Sequence, residues 1–316
     1  MKVSLVRLPV SVLAVLGFTS WVCSDTLMKL AGEANLPPWE AVALVCLFGI
    51  ILMTAKGAVQ GSVAALWPRR PAQQAARVVI MLTSSMANVV ALRHLPLALF
   101  YTAVFTAPLV ISVLAALVLR ERLTARHAIA IVAGFAGAVI AIDPFGSLTR
   151  GDLAGWAAMA VSVACFSAGA VWLRVITKSE TNDSLAFCFG AVGVLICGVP
   201  TAFTAVPMSI STLILFPAMA AFSLVGQLCN YSAMRRVPAA TVSQFHYTQI
   251  VAGSALGYLI WHDVPAPGTV IGAAIIIAAG LYAAGTAGRA EEAGRPVANE
   301  LAGTAAGPLQ QSTNLG

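Results

Sequence analysis

Asn88 and Asn230 each place a carboxamide, able to donate and to accept hydrogen bonds, inside a long apolar stretch. Their neighbourhoods match. Residues 88–98 and 230–240 align at a constant offset of 142, pairing Asn88 with Asn230, Ala91 with Ala233, Arg93 with Arg235, Pro96 with Pro238 and Ala98 with Ala240. The register continues through Thr106 and Thr248, Ser112 and Ser254, and Glu121 and Asp263. A denser polar group follows the second copy: Thr241, Ser243, Gln244, His246, Tyr247, Thr248 and Gln249 lie within nine positions. On a helix, 241, 244 and 248 share one face and 243, 246, 247 and 250 another, so no single face hides them all from lipid. Such residues suit the hydrogen-bonded holding of a small molecule. His246 adds a side chain that ordinarily changes charge near neutrality and is thus a candidate proton carrier. Asp25 and Lys29, four apart, supply opposite charges. Trp21 and Tyr101 offer rings on which a substrate could stack.

Each of these residues has a plainer use. An asparagine amide can bond a neighbouring helix, the polar glue of membrane bundles. Asp25 can pair with Lys29 or Arg93 at an interface, and Trp21 and Tyr101 can belong to an aromatic belt. His246 can be a hydrogen-bonded structural histidine. Trp172 and Gln227 are secondary site candidates, and Glu121, between Arg120 and Arg122, reads as a salt-bridged turn. The other histidines, His94, His127 and His262, fall on separate segments, and the six cysteines lie in apolar runs with no CxxC pair. No metal site, cofactor or catalytic constellation is expected, and the chain does not read as an enzyme.

The elements that must position these groups follow from composition. The apolar fraction is 59%, the charged fraction 9% and the mean hydropathy +0.89, far from the roughly 25% charged residues of soluble domains. Apolar runs near the roughly 20 residues that cross a bilayer recur throughout. They predict ten spans, at 8–28, 39–57, 78–95, 97–119, 128–145, 153–173, 185–206, 211–234, 239–261 and 267–287. The first is read as a retained helix, not a cleaved signal. Placing both termini and alternate loops in the cytoplasm puts 15 of the 18 basic residues there, Arg77 among them. The net charge of +6 is therefore a topology signal and not a nucleic-acid patch. Arg93 then lies outside and Arg235 inside, so the two copies enter the membrane upside down. The expected fold is all-α integral membrane, with ten transmembrane helices as two inverted five-helix repeats. Those repeats occupy 8–145 and 153–287, ahead of a disordered cytoplasmic tail at 288–316. Pro96 and Pro238 end one helix and start the next in a tight hairpin. Gly253 with Gly257, and Gly268 with Gly272, suit close helix packing.

A helix closing on Ala-Leu-Arg-His-Leu-Pro-Leu-Ala at 91–98, a span with Pro108, the stretch Leu-Arg-Glu-Arg-Leu-Thr at 119–124, and a helix with Gly134 and Gly137 together resemble the EamA domain of the drug/metabolite transporter superfamily. The second half departs from the pattern: Ile250 stands where the family often has proline, and Trp-His-Asp-Val-Pro at 261–265 replaces the Glu-Arg-Leu-Thr motif. Residues 24–29, Ser-Asp-Thr-Leu-Met-Lys, resemble the branch of S-adenosylmethionine, riboflavin and carnitine-type carriers. The resemblance implies a ten-helix inner-membrane carrier with a substrate cavity between its halves. It would move a small organic metabolite, an amino acid or related compound, by gradient-driven alternating access. The alternatives are a drug or cation efflux carrier and a non-transporting receptor or assembly factor. Asn88, Asn230, Tyr101, Gln244, His246, Tyr247, Trp21 and Asp25 are the expected substrate contacts. Expected partners are the small-molecule substrate, the lipid bilayer, protons as candidate coupling ion and a second copy in a homodimer, with no nucleic acid.

Overall fold

The computed structural model describes residues 8–282, apart from 33–35, 96–99, 101–102, 105, 121–124, 143–152, 263–266, 269, 273, 276 and 280–281. Pro96, Tyr101, Glu121 and the 288–316 tail lie outside the described residues. Nine helices carry the argument: α1 (Val10–Gly32), α2 (Pro38–Val59), α3 (Pro71–His94), α4 (Ala107–Val118), α5 (Ala125–Ile142), α6 (Leu153–Ile176), α7 (Asn182–Thr204), α8 (Leu215–Arg236) and α9 (Thr248–Trp261). A helical turn, Ile210–Leu213, leads into α8. Among the described residues there is no strand. Among the described residues, six helices are long and apolar enough to cross a membrane: α1, α2, α3, α6, α7 and the run Ile210–Arg236. Their outward faces carry large apolar side chains in the open, such as Ile51, Leu195, Val199 and Ile210. Water would penalise such a surface, and lipid would not.

The helix termini follow local chemistry. Pro38 and Pro71 sit in the first turns of α2 and α3, where a missing N–H costs nothing. At the start of α7, the Thr181 side chain accepts the Ser184 N–H at 3.0 Å. α8 closes at Arg236, and the Pro238 carbonyl accepts the N–H groups of Thr241 and Val242, so the second hairpin turns within two residues. The third span begins earlier than hydropathy predicts, at 71 and not 78. Alanine-rich sequence after Pro71 sustains the helix through Gln74 and Arg77, and both side chains are buried.

The predicted span 239–261 is interrupted. A short helix, Ala239–Ser243, passes into a 3-10 turn, Gln244–Tyr247, before α9. The first copy breaks at the equivalent place, with Thr106 a turn residue just before α4. The threonine hydroxyls 142 residues apart act alike. Thr106 Oγ1 donates to the Ala103 carbonyl and Thr248 Oγ1 to the Phe245 carbonyl, each at 2.8 Å. Side-chain bonds of this kind compete with the helical ladder, and 3-10 turns inside helices recur at hinges.

Packing is organised by three pairs: α1 along α8, α3 along α6 and α2 along α7. α4 lies on α6, and α9 on α1. A glycine sits at each main pairing, and a Cβ there would collide with its neighbour: Gly226 with the Trp21 ring, Gly169 with Met81 Sδ, and Gly193 with Cys46 Sγ. Gly257, expected at a close approach, is not at one. A Cβ there would meet nothing within 4 Å among the described residues. The α2–α7 pair is tied at both ends. Lys56 and Asp183 form an ion pair of 2.5 Å at one end. At the other, Trp39 Nε1 donates to Thr204 and the Val206 N–H donates to Glu40.

The paired arginines of the repeat also work alike. Arg93 donates to the Leu36 carbonyl in the α1–α2 connection. Arg235 donates to Asn182 Oδ1 and to the Thr177 and Glu180 carbonyls around the α6–α7 connection.

Candidate functional site

Where α1, α3, α6 and α8 meet, they enclose a cavity of about 150 Å³. α1 contributes Trp21, Ser24 and Asp25; α3 contributes Arg77, Ser84, Ser85 and Asn88; α6 contributes Phe166 and Gly169; α8 contributes Ser223, Gln227, Asn230 and Tyr231. Two smaller spaces, of about 90 and 50 Å³, adjoin it, and Asp25 and Asn88 line all three. Among the described residues lining the main cavity, Asp25 and Arg77 are the formal charges. Asn88 lies eleven positions after Arg77 on α3, about 16 Å along the axis, so the cavity is elongated, with Asp25 towards one end and Arg77 at the other.

The sequence-predicted residues divide clearly. Trp21, Asp25, Asn88 and Asn230 line the main cavity, as does the secondary candidate Gln227. His246 lines the smallest space, beside Asp25 and Asn88. Trp172 is not among the lining residues. Tyr101 lies outside the described residues, and of Gln244 and Tyr247 only the backbone is described, in the 3-10 turn.

His246 is enclosed at 3% exposure. Its ring packs against Phe18, with centroids 4.0 Å apart, and edge-on to Phe166 at 5.2 Å. Its Nδ1 lies 3.1 Å from Gln249 Oε1, and Gln249 Nε2 donates to the Phe18 carbonyl. Trp21 stands edge-on to both Phe18 and Phe166, so it belongs to this interior aromatic cluster and not to a surface belt. Lys29 and Arg93 serve the connections. Lys29 donates to the Leu95 carbonyl and lies over the Trp261 ring, while Arg93 holds Leu36.

The repeated asparagines are not equivalent. Ser162 of α6 donates to Asn88 Oδ1 at 2.5 Å, and Ser84 bonds the same serine at 3.0 Å. Asn88 thus helps to join α3 to α6. Asn230, 4% exposed, has no hydrogen-bond partner among the described residues and faces the cavity. Exchanging each for alanine should separate the two uses. Asn88→Ala is expected to lower stability by about 1 kcal/mol, the worth of an ordinary buried hydrogen bond. Asn230→Ala is expected to leave thermal unfolding unchanged and to weaken ligand binding. Parallel melting and binding curves for the two variants check this; equal melting losses would contradict it.

Arg77 escaped the sequence reading because it lies among Arg69, Arg70, Gln73 and Gln74, a stretch that reads as a cytoplasmic loop. The structure corrects this. Arg77 is 1% exposed, with the guanidinium carbon 5.7 Å from the centre of the Tyr231 ring. Among the described residues, Nε and Nη2 have no hydrogen-bond partner. The one usable signal was Pro71, which marks a helix start seven residues before the predicted span.

Residues 8–142 match the profile of the EamA-like transporter family. Over those residues the chain is similar to the EamA domain of the drug/metabolite transporter superfamily. It is similar to the pseudopaline exporter CntI from two strains of Pseudomonas aeruginosa, at 27% identity over 192 residues, 60% of this chain. The match spans 66% of each exporter's length, just under two thirds. A solved crystal structure shares the fold, with a TM-score of 0.69 over 89% of this chain and 99% of that one, at 20% identity. EamA proteins are membrane transporters and not enzymes, in keeping with a buried polar cavity ringed by apolar helices.

Proposed function

We propose that the chain is a secondary carrier that moves a small organic metabolite across the inner membrane by alternating access about the central cavity. The observation that carries this reading is the cavity itself. It is elongated, lined by amides, hydroxyls and two opposite charges, and enclosed by α1 and α3 of one half with α6 and α8 of the other. Intramembrane ionisable groups that face a cavity are functional candidates by default. Trp21, Asp25, Asn88, Asn230 and Gln227 would contact the substrate, joined by Tyr101, Gln244 and Tyr247. Interrupted helices beside a midplane site are a recurring carrier device.

The ten helices form two inverted five-helix repeats, at 8–145 and 153–287. Helix pairing supports this. If each helix of the first five corresponds to the one five places later, exchanging equivalents turns α1–α8 into α6–α3, returns α2–α7 to itself and turns α4–α6 into α9–α1. Every one of these pairs is present. The matching threonine breaks and arginine clasps support it as well. Lys56, Arg69, Arg70 and Arg235 meet the α6–α7 connection at one end of the bundle, which would be the cytoplasmic end. Export is the working direction, since the relatives are named exporters. The proton is the working coupling ion, with Asp25 as the group able to bind it. Purified protein in proteoliposomes, offered amino acids, S-adenosylmethionine, riboflavin, carnitine and cationic drugs, should give saturable flux of one class. No flux for any of them, from folded protein, would overturn the carrier reading.

A further inference from the structure

Arg77 is the least comfortable residue in this fold. A guanidinium removed from water is costly unless paired and hydrogen-bonded. Here it is buried in a membrane-length helix, with Nε and Nη2 unpartnered among the described residues. These two nitrogens share one edge of the planar group, the edge that can meet both oxygens of a carboxylate side-on. Nearby acidic residues are committed elsewhere. Glu180 accepts the N–H groups of Arg69 and Arg70 and the Ser184 hydroxyl, and Asp183 pairs with Lys56. The aromatic face of Tyr231 offsets part of the charge and holds the group in place, but it offers that edge no acceptor. The residue lines the central cavity.

We propose that Arg77 is the carboxylate-binding subsite of the central cavity, and that the transported molecule therefore carries a carboxylate. This rests on the carrier reading above and adds the substrate class. The carboxylate supplies the oxygens that the Nε–Nη2 edge lacks, while the rest of the molecule extends along the cavity towards Asn88 and Asp25. A site built around an otherwise unpaired donor also rejects analogues that leave it unpaired. An amide or ester of the same molecule should therefore be strongly disfavoured.

The test uses the full chain in proteoliposomes, with amino acids and dipeptides each paired with its C-terminal amide. Wild-type protein should move at least one acid about tenfold or more faster than its amide. Arg77→Gln should erase that preference by slowing the acid, with the amide rate changed less than about twofold. Arg77→Lys, which keeps the charge and loses the fork, should fall between. It also keeps the test open should Arg77→Gln fail to fold. Equal rates for acids and amides in wild type, a preference that survives Arg77→Lys unchanged, or an equal loss for both partners of a pair in Arg77→Gln would overturn the proposal. Flux confined to cations lacking a carboxylate would overturn it while leaving the carrier reading intact. Absence of flux for every compound would overturn that reading first.

Discussion

Asparagine in place of Asp25 is expected to slow transport roughly a hundredfold without unfolding the protein. Asp25 is half-buried and lines all three connected spaces, beside Asn88 in each. Asparagine preserves its shape and one acceptor oxygen but removes the charge. A hydrogen bond to a charged partner contributes about 1.5–3 kcal/mol. Its loss at a rate-determining site corresponds to roughly a hundredfold at the upper end. Stability should change less than transport, because asparagine keeps the shape and one acceptor oxygen of this half-buried side chain. Initial flux at matched protein loading, beside a melting curve in detergent, gives the answer. A variant that transports within twofold of wild type would remove Asp25 from the site.

Alanine in place of Glu180 should have the largest effect on stability, about 3 kcal/mol or more. The carboxylate is 3% exposed and accepts three donors: the Arg69 N–H at 3.1 Å, the Arg70 N–H at 2.6 Å and the Ser184 hydroxyl at 3.1 Å. Deleting it strands all three, at about 1–3 kcal/mol for each buried donor left without an acceptor, less what water recovers. Two of those donors lie at the start of α3, the helix that carries Arg77 and Asn88 into the cavity. The variant should thus melt many degrees lower and also transport poorly. Glu180→Gln, which keeps one acceptor oxygen but adds an amide N–H pair facing donors, should fall between. An unchanged melting curve for Glu180→Ala would show that this network contributes nothing.

The sequence made the helices and the duplication visible because both leave periodic marks. Long apolar runs predict α1, α2, α6, α7 and α8 to within a few residues at most ends. The offset of 142 anticipates the shared roles of Arg93 with Arg235 and of Thr106 with Thr248. The start of α3 was hidden by its own polar residues. Hydropathy discounts Gln74 and Arg77 as loop, yet both are buried within the helix. The interruption of 239–261 was hidden too, since a hydropathy run reads the same through a 3-10 turn as through an α-helix, although the polar density at 241–249 pointed to the place. Half of the cavity wall had no signal at all. Ser24, Gly169 and Ser223 are small residues of the kind that packing uses everywhere, and only the α1–α8 and α3–α6 pairings bring them to one space. Asn88 and Asn230, identical in the repeat, differ in use: Ser162 bonds the first, and among the described residues no side chain bonds the second.

The central claim is that this cavity opens to each side of the membrane in turn. Ser223 lines it from α8, so a Ser223→Cys variant can report access through alkylation by a membrane-impermeant maleimide, read at position 223 by mass spectrometry. In oriented vesicles, reagent applied to either face alone should label the residue, and a transported ligand should protect it from both. Labelling from one face only, whatever the ligand or gradient, would contradict alternating access.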